Sequence, residues 1–234
     1  MEKRSYRSSV VAVTATLGGL LVALLMASPA LAADKLPEVS SDGLHLVKSK
    51  NVRIAYVKPG ATLGPYHRVM LVDCFVDFVA NWQRDYNMNE LGLEGRVTDL
   101  DAQKIKQGLA EEFKKVFTDE LTKKGYPVVD TPAPDVLLLR PALINVDVTA
   151  PDIDTPDMRR TFVRSAGDMT LYMEMYDSAT STLLARVIDP QADDEAFARQ
   201  ANRVTNRAAA DFILHNWAAL LVKRLDDVKE ASSK

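Results

Sequence analysis

The segment from Ile213 to Val228 constrains this chain most. Ile213, Leu214, Trp217, Leu220, Leu221, Leu225 and Val228 recur at intervals of three and four residues, which gathers them into one broad apolar stripe on a helix. A stripe of that width has to be covered by something flat, and the preceding sequence supplies strands. Met169, Leu171, Met173 and Met175 alternate with Thr170, Tyr172, Glu174 and Tyr176, the period of a strand buried on one face. Leu183, Ala185 and Val187 resume the alternation after the turn-forming run Asp177–Ser181, so the two strands form a hairpin.

Earlier segments fit the same plan. Val52, Ile54 and Tyr56 read as a strand stopped by Pro59-Gly60, and Met70, Val72, Cys74, Val76 and Phe78 as a second, with Asp73 and Asp77 on its other face. Thr98 and Asp101 have the spacing of a capping box, and Ile105, Leu109, Phe113, Val116, Phe117 and Leu121 continue as a helix that Gly125 and Pro127 end. A short strand at Tyr126–Val129 precedes a long one at Val136–Val148, whose inward parity changes; Pro141 is the expected site of the bulge. The expected fold is α+β: a single sheet of about five mostly antiparallel strands with two long helices packed on one face.

The amino-terminal end has a different character. Glu2, Lys3, Arg4 and Arg7 precede an uncharged run from Val10 to Met26, followed by Ser28-Pro29-Ala30-Leu31-Ala32. This is the order of a secretory signal peptide, with cleavage after Ala32; the rival is a retained anchor, since the run approaches the roughly 20 residues that span a bilayer. Arg4 and Arg7 are not adjacent, which favours a Sec-type leader over a twin-arginine one, and no cysteine stands near the cleavage point to take a lipid. The expected organisation is a signal peptide at 1–32, a flexible lead-in at 33–50 and a single α+β domain at 51–230. Removing 32 of the 234 residues leaves 202, enough for one domain with a substantial core. The leader takes three of 29 cations and one of 32 anions, leaving 26 and 31, a balance of −5 that disfavours nucleic acid and anionic membrane surfaces as partners. A periplasmic or secreted location follows, with no stable membrane insertion after cleavage. The lone Cys74 allows no internal disulfide.

Residues with chemical potential are scattered. His45, His67 and His215 show no metal-ligand spacing, and His67 reads as an exposed turn histidine. Cys74 points inward with its strand and reads as a structural thiol. The turn Pro59–Pro65 lacks the lysine of a phosphate loop. Asp147, Asp152, Asp154 and Asp157 lack the glycine and distal glutamate of a calcium loop and read as solvated acids beside Arg159, Arg160 and Arg164. No catalytic, cofactor-binding or metal-binding set is expected. The segment from Val79 to Val97 is long for a connection and holds Trp82, Arg84, Tyr86, Met88 and Leu91, a mixture enriched where proteins touch; it is a candidate partner-docking loop, the alternative being a compact loop or short helix folded over the sheet edge.

Several landmarks coincide in Lys58-Pro59-Gly60-Ala61, Tyr66-His67-Arg68-Val69, the strand ending before Trp82, and Phe212-x-x-x-x-Trp217-Ala218-x-x-Leu221-x-x-Arg224-Leu225. Together they resemble a family of bacterial exported proteins, domain of unknown function thirty-three thirteen, many of whose members are lipoproteins. The resemblance implies export and brings no catalytic residues. The order of elements is also similar, at the level of fold, to envelope domains of the penicillin-binding-protein activators, the curli secretion lipoprotein and the Tol translocation protein's amino-terminal domain. The function these readings favour is a non-catalytic envelope domain that binds another envelope protein or a wall component. One alternative is a hydrolase built on carboxylates such as Asp73, Asp77 and Asp168. Another is a periplasmic carrier of a small apolar ligand held between sheet and helices and lined by Met169–Met175. The leader makes a direct prediction: intact mass of the exported protein should place its first residue at Ala33, and a full-length membrane-held species would establish the anchor instead.

Overall fold

The computed structural model describes residues 35–89, 95–148, 161–163, 167–192, 199–201 and 203–232. The chain divides into Met1–Leu36 and Pro37–Lys234, and the architecture below is that of the second unit. It is α+β. Among the described residues the main sheet has seven strands rather than about five: β1 (His45–Val47), β2 (Ile54–Val57), β3 (Arg68–Leu71), β4 (Phe75–Phe78), β5 (Val136–Val148), β7 (Gly167–Asp177) and β8 (Thr182–Ala192). Their order is β1-β2-β8-β7-β5-β3, with β4 also paired to β5. The pairings from β1 to β5 are antiparallel, whereas β3 and β4 lie parallel to β5. A separate ribbon joins β6 (Thr161–Val163) to β9 (Arg199–Ala201), and the helices are α1 (Trp82–Asn89), α2 (Asp99–Lys123) and α3 (Arg203–Ser232).

The extra strands have physical reasons. β1 is three residues long and exposed throughout, too short to display a period of two. The expected strand from Met70 to Phe78 is split, because its inward set is Val69 and Leu71 before the break and Cys74 and Val76 after it. In β5 the inward set runs Leu137, Leu139, Pro141, Leu143 and then Val146, so the phase changes at Asn145 and not at Pro141. Asn145 has φ 51°, a left-handed conformation that asparagine tolerates better than most residues. Pro141 is accommodated otherwise. The Leu139 carbonyl accepts from the Val72 amide, and Pro141, two residues on, turns its nitrogen to the same side, into the interval between β3 and β4. The expected strand at Tyr126–Val129 is reduced to a bridge, in which Val69 donates to the Pro127 carbonyl and Val129 donates to that of Val69.

Other local signals hold. Thr98 and Asp101 form the reciprocal capping box of α2, and Asp177 caps the β7–β8 turn by accepting from the amide and hydroxyl of Thr180 at 2.8 and 2.9 Å. The sheet ends are tied down as well. Val39 bridges to His45 on the outer side of β1, where Leu46 donates to the Glu38 carbonyl, while Lys114 and Lys106 of α2 pair with Asp73 and Asp77 beside β4.

One core cluster contains Phe113, Phe117 and Leu121 of α2, Ile213, Leu214, Trp217 and Leu221 of α3, and Leu139, Leu143, Leu171 and Met173 of the sheet. Cys74 is buried in it, and burial pushes its thiol up to about 12, so it stays protonated at neutral pH. A carboxylate lies beside this core. Asp189 of β8 is 3% exposed and accepts from Trp217 Nε1 at 2.8 Å, the Arg53 amide at 2.7 Å and Gln191 Nε2 at 2.9 Å. Trp217→Phe keeps an aromatic ring, though a smaller one, and removes one of these three donors, so it should cost at least about 1 to 3 kcal/mol; Trp217→Ala should cost roughly 3 to 5 kcal/mol. Chemical denaturation reads both, and a phenylalanine variant as stable as its parent would deny the bond any weight.

Candidate functional site

The core face of the sheet is unevenly filled. Cross-strand neighbours on that face form rows, one running Val57–Ala185–Met175–Leu139 and the next Ala55–Val187–Met173–Pro141. Large side chains fill the β5 side, where Leu137, Leu139 and Leu143 are fully buried. Toward β2 the rows thin to alanine and valine, and the missing volume is an open cleft of about 720 Å³ between the sheet and α3. Leu171, Met173 and Met175 lie on its floor with Ala55 and Ala185, Trp217, Leu220 and Leu221 form its helical wall, and Ala61 and Leu63 close another side. Its size and apolar lining are those of a small-molecule site. Around its opening stand Lys48 and Lys50 from the β1–β2 connection and Lys223, Arg224 and Asp227 from α3.

The reverse face carries a polar row, in which Tyr56, Arg186, Glu174 and Arg140 are cross-strand neighbours. Glu174, 7% exposed, accepts from Tyr172 at 2.8 Å, Tyr176 at 2.7 Å and Arg186 at 2.9 Å; Arg186 also reaches Asp42, and Tyr56 donates to the Pro37 carbonyl. Burial alone would raise the Glu174 carboxyl, but the hydrogen bonds of Tyr176, Tyr172 and Arg186 outweigh it and hold it below the usual carboxylate range. Burial and the same carboxylate push Tyr172 up to about 12. Arg186 joins Glu174 to Asp42 and Tyr56 joins the row to Pro37, so the row reads as a fastening between the sheet and residues 37–42.

The other candidates are dispersed. Trp82 is buried, stacks on Phe78 at 4.0 Å and donates to the Val148 carbonyl, whereas Arg84 and Met88 on the same helix are exposed, Met88 at 76%, and Tyr86 is half-buried. The segment is thus helical at α1; Leu91 lies outside the described residues, as do Ala32, Asp152, Asp154, Asp157, Arg159, Arg160 and Arg164. Asp147 and Asp168 face each other across β5 and β7 and line a cleft of about 480 Å³ with Thr170 and Gln191. Burial, and then the charge of Asp168, raise the Asp147 carboxyl. Asp73 and Asp77 line no part of it and are held by lysines at 3.0 and 2.7 Å. His45 and His67 are exposed, and His215 approaches Glu120 at 3.5 Å.

The cleft had a signal in the sequence. Trp217, Leu220, Arg224 and Val228 follow one another at three- and four-residue steps along a single flank of the α3 stripe, and this flank lines the cleft. Lys48 and Lys50, in a polar segment, carried none.

The reverse face makes a prediction about acid. A depressed glutamate contributes stability above its unfolded pKa of roughly 4.3 and loses it as pH falls through the folded value. The stability gap between the parent and Glu174→Gln, read by urea unfolding, should therefore narrow from pH 6 to pH 3, and a gap constant over that range would assign the acid response to other carboxylates.

Comparison with curated proteins gave no match. Among solved structures the chain is similar to the PelC dodecamer from Paraburkholderia phytofirmans, at 11% identity over 69% of this chain and 94% of that one, with a TM-score of 0.34. It is also similar to a protein from Helicobacter pylori described as a homolog of a neuraminyllactose-binding hemagglutinin, at 10% identity over 74% and 93% of the two chains, with a TM-score of 0.36. Likenesses of this size say nothing about activity. The sequence profile of the family described as protein of unknown function, DUF3313, matches residues 39–221, and the chain belongs to that family.

Proposed function

We propose that this chain is an exported, non-catalytic binding protein of the cell envelope, and that its ligand site is the cleft beneath α3, which takes a small apolar molecule. The observation that carries the reading is the cleft itself, about 720 Å³ floored by Leu171, Met173 and Met175 at the point where Ala55 and Ala185 leave the sheet thin. Burial of apolar ligand surface there is favourable at roughly 25 cal/mol per Å², and methionine adapts to varied shapes. The leader ending in Ala30-Leu31-Ala32 supports export. A non-catalytic role is supported by the arrangement of Asp73 and Asp77 with lysines, apart from the cleft of Asp168. Docking of another envelope protein on the exposed side of α1, at Arg84 and Met88, is a second reading, favoured by the 76% exposure of Met88.

The apolar dye N-phenyl-1-naphthylamine tests the first reading. Its fluorescence should rise on adding the protein, and Leu220→Glu, at a half-buried position on the cleft wall, should weaken binding at least tenfold while the melting temperature moves by no more than a few degrees. Dye binding of equal strength in parent and variant would overturn it.

A further inference from the structure

We propose that the ligand of this cleft is a single-chain amphiphile with an anionic head group, its chain on the apolar floor and its carboxylate or phosphate at Lys48, Lys50, Lys223 and Arg224. The proposal rests on the apolar-cleft reading and adds the head group to it. The four cations reach one opening from two separate elements, two from the β1–β2 connection and two from α3, and all four are exposed. Asp227 is the carboxylate that lines the cleft with them. None of the four has an ion pair among the described residues, although Arg68, Lys106, Lys114, Lys115 and Arg186 all do. The chain as a whole is negative, at −3, so an excess of unpaired cations around an apolar opening runs against its composition.

Charge complementarity selects the occupant. A head group at the opening sits beside low-dielectric walls, where an opposite charge is attracted more strongly than in water and a like charge is repelled. An anion completes the ring of cations and a quaternary ammonium opposes it, while a neutral head group leaves only the chain to bind. Lys223 and Arg224 follow Leu220 and Leu221 by about one helical turn, so a chain lying along the wall brings its end to them.

Displacement of N-phenyl-1-naphthylamine tests this with dodecanoate, monododecyl phosphate, dodecyl maltoside and dodecyltrimethylammonium, each below its micelle concentration. The two anions should bind at least tenfold tighter than the other two, with the preference shrinking as salt rises from about 50 to 500 mM. Decanoate should bind roughly fifteenfold more weakly than dodecanoate, since each buried methylene is worth about 0.8 kcal/mol. Lys223→Gln with Arg224→Gln, and separately Lys48→Ser with Lys50→Ser, should each reduce the anion preference with the melting temperature unchanged. Equal affinity for all four head groups, still lost in Leu220→Glu, would overturn the head-group assignment and leave the apolar site standing. Anion binding indifferent to both double variants would overturn it too, and binding of none of the four amphiphiles would overturn the underlying reading with it.

Discussion

The carboxylate of Asp189 fixes the relation of the sheet, α3 and the chain entering β2 to one another. A carboxyl group on a residue only 3% exposed is tolerable only with its hydrogen bonds made, and its three donors come from α3, from the backbone at Arg53 and from Gln191 of β8 itself. Because the indole of Trp217 is one of the three, α3 cannot slide along β8 without leaving a buried polar group short of a donor. Apolar packing alone is tolerant of such slides. The width of the opening between α3 and β2 is thereby set by a directional bond, and the residues flanking Trp217 inherit their positions from it.

The two faces of the sheet solve different problems with the same strands. On the core face Met173 and Met175 pack against α2 and α3, while one residue away in sequence Tyr172, Glu174 and Tyr176 make a closed set of hydrogen bonds with Arg186. Such a set specifies one register, since a shift of a single residue would place Glu174 in the apolar core and Met173 in the ionic row. The cleft arises from what the core face lacks. Two alanines and two valines in the rows nearest β2 withhold the volume that leucines provide under β5.

Much of this was legible in the amino acids, and the limits have clear origins. Alternation over Met169–Met175, the capping box at Thr98 and the stripe through Trp217 are local patterns, and they appear where expected; the alternation from Leu183 does not, because a register shift after Met175 sets Leu183 opposite Tyr176 and buries Leu184 in the core beside Ala185. The phase change in β5 was visible as a parity conflict, but it was attributed to Pro141 because proline is the commoner disturber of strands. What absolved Pro141 is the break in the neighbouring edge, a long-range fact. The cleft was foreshadowed only as a possible use of the methionine strand. A stripe read from sequence gives its angular width but not which part of that width meets the sheet, and cations in a polar connection such as Lys48-Ser49-Lys50 look like solvated surface until the fold sets them beside Arg224.

The outer margins of the sheet carry a last consequence. A strand with unmatched amide and carbonyl groups is a template on which another extended chain can grow, the route by which β proteins polymerise. Here β1 has residues 38 and 39 laid along its outside, Val69 of β3 has its amide and carbonyl engaged by residues 127–129, and the four-residue β4 is flanked by the Asp73 and Asp77 ion pairs. Among the described residues, copies of this chain that meet at β1 or at Val69 of β3 find backbone groups already engaged there, so contacts made at those two margins fall to side chains.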